Sequence, residues 1–279
     1  MILNGRAIAK DIYSQIQKEV ETLKTPPTLG VILAGNNPAS LSYIKQKKKW
    51  AEKIGIGFKL FPFQSDISEQ ALLEETEKLN TDSSISGYII QLPLPKHINT
   101  DKVINAINPE KDVDGFHPIN QGKILIWDHS GFAPCTPAGI MTLFKSQNIE
   151  VMWKKVVILG RSNIVGKPIA LLLINAGATV TSCNSKTPDI SHYTKTADIV
   201  ICATGVPGLL KKTDITNEAV IIDVWFWVVD GEIVGDAEYE SIEQNGNLIT
   251  PVPGGVGPMT VALLMQNTLT AHKRQSWIK

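Results

Sequence analysis

Apolar residues at Ala9, Ile12, Ile16, Val20 and Leu23 recur close to every 3.6 positions, which predicts a helix over Ala7–Leu23 with one buried stripe. Pro26 and Pro27 stop it. The apolar run Thr28–Leu33 reads as a strand, closed by a polar turn at Gly35, Asn36 and Asn37. Asn37 as N-cap and Pro38 as first helical residue predict a helix to about Ile54, with Gly55 as its stop. Ile56–Phe61 is a further strand, and Glu69–Leu79 an amphipathic helix with Leu72, Leu73 and Leu79 inward, capped by Asp66 or Ser68. Ser86–Leu92 is a buried strand that ends on Gln91. A strand pair, Lys123–Trp127 around Gly122, and the loop Pro134–Pro137 mark the crossing into a second domain, where Thr136 caps a helix from Pro137 to about Ser146. Strands then follow at Val156–Leu159, Ala178–Cys183, Ile199–Ala203 and Val220–Val224, with a helix at Ile169–Asn175 and a short one after Cys183. The closing helix, Thr260 to about Thr270, returns to the first domain, because the second has used its strands. The fold class is α/β in two domains, 1–137 plus 260–279 and 138–259.

The chain is organised around Val156–Pro168, a strand that runs into Gly160, a polar turn, and Gly166 opening a helix. Ligands of open α/β sheets bind at the strands' carboxyl ends, and free helix N–H groups favour an anion there. The spacing departs from GxGxxG, since Ser162 holds the second glycine's place. It also fails the GxxxxGK[ST] pattern, with one residue too many and Pro168 in place of the hydroxyl. A dinucleotide site and an ordinary turn of a parallel sheet both fit.

Composition narrows the partners. The 27 basic and 27 acidic side chains among 279 residues set up no field for nucleic acid or an anionic membrane, so a small metabolite is expected. Cys135, Cys183 and Cys202 form no CxxC pair, which suits a reducing compartment. Met1–Lys10 does not read as a signal peptide, and no run reaches the length of a membrane span, so the expectation is a soluble cytoplasmic protein. Histidines and cysteines show no metal-ligand spacing, and Ser162 lacks a GxSxG context.

Five places carry candidate chemistry. At about 100° per residue, Tyr43, Lys47, Trp50 and Ile54 share one stripe, while Lys45 and Lys49 point away. Lys47 therefore faces the core, either snorkelling to water or held as a functional cation or base. Gln91 at a strand exit either touches a ligand or satisfies a loop carbonyl. Asp112 and Asp114 either flank a proton-transfer centre or form a turn before Gly115. No carboxylate ends the strand Ala178–Cys183, and Arg161, Ser185 and Lys186 stand nearby, which favours the extra phosphate of NADP unless all three are solvated loop residues. The rigid, glycine-opened Pro251–Pro258 suits a loop over a flat ligand.

Six ordered motifs span nearly the whole chain: YIKQK from Tyr43, QLPLP from Gln91, KDVDGF from Lys111, PCTP from Pro134, GRSNIVG from Gly160 and PVPGGVGPMT from Pro251. Together they resemble the methylenetetrahydrofolate dehydrogenase/methenyltetrahydrofolate cyclohydrolase family. The resemblance implies an N-terminal catalytic domain, completed by the C-terminal helix, that faces a Rossmann-like domain across a cleft, in a homodimer. It implies a multifunctional oxidoreductase and hydrolase of one-carbon metabolism and purine biosynthesis. NADP would oxidise methylenetetrahydrofolate to the methenyl form, and water would convert that to formyltetrahydrofolate. It assigns Lys47 as the acid/base lysine, Gln91 as its partner, Tyr43 against the folate rings and Asp114 on the pterin, with Pro253, Gly254 and Gly255 also binding substrate. Arg161 and Ser185 would hold the NADP phosphate, and Gly160, Ser162, Ile164, Gly166, Thr204 and Gly205 would complete the cofactor site; no metal is implied. A lysine base needs a lowered pKa, and Lys48 and Lys45 with partial burial are expected to depress it.

Departures from the family pattern gather at one place. Trp225-Phe226-Trp227 stands after Asp223-Val224 where Gly-Ile-Asn is usual, and a Trp there would fill the nicotinamide's space or push the loop aside. Val206 replaces a common lysine, Asn184 a histidine and Trp50 a small residue. Two alternatives follow, a cyclohydrolase with weak or absent dehydrogenase activity and a non-catalytic folate- or nucleotide-binding protein.

Overall fold

The computed structural model describes residues 2–229 and 232–277; Met1, Ile278 and Lys279, the outermost residues of the expected first domain, lie outside them, as do Asp230 and Gly231. The chain forms two compact units, Asp11–Cys135 with Val261–Lys279, and Met1–Lys10 with Thr136–Thr260.

In the first unit, the elements are α1 (Gly5–Val20, which starts in the other unit), β1 (Thr28–Ala34), α2 (Pro38–Lys53), β2 (Gly57–Phe63), α3 (Glu69–Thr81), β3 (Gly87–Ile90), α4 (Thr100–Asn105) and α5 (Pro118–Leu125). The strands pair in parallel in the order β2-β1-β3. β1 is central and buried along almost its whole length, as its unbroken apolar run requires. The Asn37 side chain accepts from Ala39 N and Ser40 N at 3.0 and 3.2 Å, which fixes the start of α2, and Gly55 at φ +80° ends the turn after it. Ser68, of the two expected caps, holds the start of α3. Ile32, Leu72, Leu79, Ile85 and Tyr88 form the core between strands and helices. The buried Tyr88 hydroxyl is satisfied by Thr76 O and Asn80 Oδ1.

The expected strand pair at Lys123–Trp127 is instead α5 and its end. His117 Nδ1 accepts from Ile119 N at 3.1 Å, Pro118 follows as first helical residue, and Trp127 at φ +59° turns the chain out of the helix. Ile124 alone of the run Ile124–Trp127 is buried, so the branched residues that read as a strand lie mostly on the surface.

The second unit contains α6 (Cys135–Ser146), β4 (Lys155–Leu159), α7 (Gly166–Asn175), β5 (Thr179–Cys183), α8 (Ser191–Thr194), β6 (Ile199–Cys202), β7 (Val220–Asp223), β8 (Trp227–Val229), β9 (Glu232–Val234), α9 (Tyr239–Gln244), β10 (Leu248–Ile249) and the start of α10 (Val256–Trp277). Its five-stranded sheet is parallel throughout, in the order β10-β7-β6-β4-β5, and β8–β9 form an antiparallel hairpin. β4 and β6 are buried on both faces, with Val157, Val200 and Ile221 in the core. Thr136 is not the cap of α6 but lies in its first turn, where its hydroxyl meets that of Thr260 at 2.9 Å. Among the described residues no helix is long and apolar enough to cross a membrane.

Candidate active site

Gln91 follows β3 directly, and its N–H donates to Ile32 O at 2.9 Å, which continues the ladder and fixes the backbone at the strand's carboxyl end. Its side chain is turned by two bonds: Nε2 donates to Leu92 O at 2.9 Å, leaving Oε1 to accept from Lys47 Nζ at 2.9 Å. Lys47 sits mid-way along α2 and is 7% exposed. Burial lowers its pKa, opposed by the carboxylate of Asp114 and then by Cys135. Lys45 and Lys48, expected to depress it, are exposed on the other side of α2, and Lys48 lies 3.8 Å from Glu52. Their charges act through water and are screened; desolvation is the cause. Asp114 shows the converse balance, raised by burial and lowered by Lys47 and a hydrogen bond with Cys135. Tyr43, one turn before Lys47, is half-buried, and burial raises its pKa, so the phenol stays neutral.

The two aspartates left open by the sequence separate into a builder and a chemical group. Asp112, 1% exposed, accepts from the N–H groups of Gly115, Phe116 and His117 and from Asn120 Nδ2 at 2.8–3.2 Å. It folds the turn. Asp114 is carried by that turn, half-buried, toward Lys47 and Cys135. Cys135 was given no role by the sequence beyond its place in a motif. Its thiol is buried against Val113 O at 3.3 Å, and burial and Asp114 push its pKa well up, so it stays a neutral thiol beside Lys47 and Asp114. Asn267 of α10 donates to Val113 O at 2.9 Å and closes the same turn from behind.

In the second unit, Gly160 (φ +115°) passes so close to β6 that a Cβ would stand 2.2 Å from Ala203 O, and one on Gly166 would stand 2.4 Å from Gly160 O. Both glycines are required by the chain's own packing, whatever binds above them. Ser162 Oγ accepts from Val165 N and Gly166 N at 3.2 and 3.3 Å and so closes the turn that leads into α7, whose N-cap position is Val165. Ile164 is half-buried in that turn. Arg161 and Ser185 are exposed at the carboxyl ends of β4 and β5, as is Lys186, and among the described residues no carboxylate pairs with either cation. Two unpaired cations and a hydroxyl, with no carboxylate to bind ribose hydroxyls, fit a dinucleotide carrying an additional phosphate. Thr204 and Gly205 follow β6 and are held by Asp236, which the sequence did not flag. Only its position behind Gly235, in a segment without strand or helix periodicity, marked it. In the Pro251–Pro258 loop, Arg6 N donates to Gly254 O at 3.0 Å and Gly255 N to Pro251 O at 2.8 Å; Pro253 follows a cis bond. Among the described residues no cluster of three His, Cys, Asp or Glu could hold a metal.

Comparison with known proteins gives this arrangement its family. Residues 3–114 match the catalytic domain, and residues 134–276 the NAD(P)-binding domain, of tetrahydrofolate dehydrogenase/cyclohydrolase. The chain belongs to that family. Within it, the chain is 50% identical to the bifunctional protein FolD of Staphylococcus carnosus, over 98% of this chain and 96% of that one. Its fold matches the crystal structure of bifunctional FolD from Campylobacter jejuni with a TM-score of 0.96 at 43% identity, covering 99% of both chains. The Trypanosoma brucei FolD structure, complexed with NADP and an inhibitor, matches with a TM-score of 0.94 at 35% identity, covering 99% of this chain and 98% of that one.

Proposed function

We propose that this chain oxidises methylenetetrahydrofolate with NADP to methenyltetrahydrofolate and hydrolyses that product to 10-formyltetrahydrofolate. The observation that carries the reading is the bond between buried Lys47 and half-buried Gln91, beside Asp114 and Cys135, in a chain of this family. The methenyl carbon is already an electrophilic cation, so hydration needs a placed water and a proton acceptor rather than a metal. Neutral Lys47 takes the proton as the water's oxygen bonds to that carbon. Collapse of the adduct breaks the bond to one folate nitrogen as the hydroxyl gives up its proton and its oxygen becomes the carbonyl; the proton held by Lys47 goes to the departing nitrogen, and the formyl group stays on the other. Gln91 holds the amine in place through its carbonyl oxygen, Tyr43 lies against the folate rings, and Asp114 binds the pterin. Pro253, Gly254 and Gly255 are read as substrate-binding residues as well.

Bound NADP supplies the hydride acceptor. Arg161 and Ser185 bind its ribose phosphate, and the Gly160–Gly166 turn with Thr204 and Gly205 surrounds the remainder. On this reading Asp11–Cys135 with Val261–Lys279 is the folate unit and Thr136–Thr260 the dinucleotide unit. The same reading makes the protein a cytoplasmic homodimer whose product serves purine biosynthesis.

The test follows NADPH formation from methylenetetrahydrofolate and NADP, with loss of methenyltetrahydrofolate above its spontaneous rate in parallel. Both signals are expected, and Lys47→Met should lower hydration at least a hundredfold. Hydration without NADPH would reduce the protein to a cyclohydrolase; neither signal, with both ligands bound, would make it a binding protein.

A further inference from the structure

Asp236 is fully buried, and its two oxygens serve different segments. Oδ2 accepts from Thr204 N, Thr204 Oγ1 and Gly205 N at 2.7, 2.9 and 2.8 Å. Oδ1 accepts the indole N–H of Trp227 at 3.3 Å. Its own N–H donates to Asp223 Oδ1 at 3.0 Å, and Asp223 closes β7. One carboxylate thus ties the turn after β6 to the segment after β7. The indole lies directly on that turn: a Cβ on Gly205 would stand 3.1 Å from Trp227 Cζ2, and Gly205 already needs glycine for its φ of +75°. Yet Trp227 is 40% exposed, so the turn covers only part of its ring.

The sheet order gives this ring its address. Arg161 and Ser185 follow β4 and β5, whereas β6 and β7 lie on the opposite side of β4. A dinucleotide whose phosphate-bearing ribose is at β4–β5 extends its other half toward the ends of β6 and β7. We propose that Trp227 is a specificity-determining residue for the nicotinamide half, an aromatic wall held by Asp236 against which that flat ring stacks. The assignment rests on the NADP reading above. An indole suits the oxidised nicotinamide because that ring is cationic and the indole face is electron-rich. The Trp in place of the usual asparagine is then a changed contact rather than a lesion.

The experiment titrates NADP and adenosine 2′,5′-bisphosphate, which carries the phosphates but no nicotinamide, into wild-type protein, Trp227→Ala and Trp227→Phe by calorimetry. Trp227→Ala should bind NADP about 5- to 10-fold more weakly, with the bisphosphate affinity unchanged, and Trp227→Phe should recover most of the loss. If Trp227→Ala does not fold, fluorescence decides: NADP should quench the emission that wild type has and Trp227→Phe lacks, and the bisphosphate should not. Equal weakening of both ligands would make Trp227 a structural prop, and unchanged or tighter NADP binding would make it a bystander or an obstacle; each overturns the proposal. Wild-type protein that binds the bisphosphate but not NADP would overturn it too, and binding neither would remove the NADP reading itself.

Discussion

The single residue on which the chemistry turns is Lys47, and its pKa follows from where α2 places it. An ammonium 7% exposed has lost most of its hydration, so burial favours the neutral amine, while Asp114 and Cys135 work against that. If Lys47 is the base, only its neutral form hydrates. The hydration rate should therefore rise with pH and level off around a midpoint below the ordinary 10.5, and Lys47→Arg, which stays charged, should show no such rise. A pH–rate profile of the enzyme-dependent rate checks this. The inward placement of Lys47 was legible because helical periodicity is geometric: Tyr43, Lys47 and Ile54 share a stripe whatever surrounds them. The cause of its perturbation was not legible. Neighbours in sequence are not neighbours in a low-dielectric site, and Asp114 and Cys135 reach Lys47 only through the fold. Trp50 has a comparable explanation, since its ring stacks on Tyr13 with centroids 4.0 Å apart and fills the room a small residue would leave. Nothing in the structure explains Val206.

At the scale of elements, α10 is held to the strands of its unit by particular side chains. Ser86, just before β3, accepts at its Oγ from Thr28 N at 3.0 Å and lies 3.1 Å from His272 Nδ1; its carbonyl accepts from Gln275 Nε2 at 2.6 Å. Burial lowers the His272 pKa, opposed by a hydrogen bond to the backbone of Thr25. The folded state then holds fewer protons than the unfolded one just below the ordinary histidine pKa of about 6.5, and the contribution to stability is lost as pH falls from there toward the folded value. Urea unfolding at pH 7.5 and pH 5.5 should show a smaller loss for His272→Gln than for wild type. Elements with a strong period or a side-chain cap, α2 and α3 above all, were readable in the chain. α5 was missed because its cap is a histidine ring nitrogen, and because Leu125, Ile126 and Trp127 are exposed where a buried strand would need apolar residues. β8, β9 and β10 were missed because strands of two or three residues carry no usable alternation.

For the whole molecule, motif order outweighed any one spacing: the glycine turn alone left a dinucleotide site undecided, and six motifs in sequence placed the chain in its family. The units themselves are not consecutive pieces of chain. Asp11–Cys135 is grouped with Val261–Lys279, and Asn267, His272 and Gln275 bond into its turns and strand ends. A chain ending at Thr260 should therefore lose protection in β1, α2 and β3, Lys47 included, while β4–β7 keep theirs; hydrogen exchange by mass spectrometry would read the difference. The same division sets an order during synthesis. On the ribosome, Asp11–Cys135 emerges before Thr136–Thr260 and then waits through the making of that whole stretch for the helix that completes it. Until Val261–Lys279 follows, the nascent chain carries a complete three-stranded sheet without the helix that braces its ends, so residues made early reach their final stability only after much later ones are made.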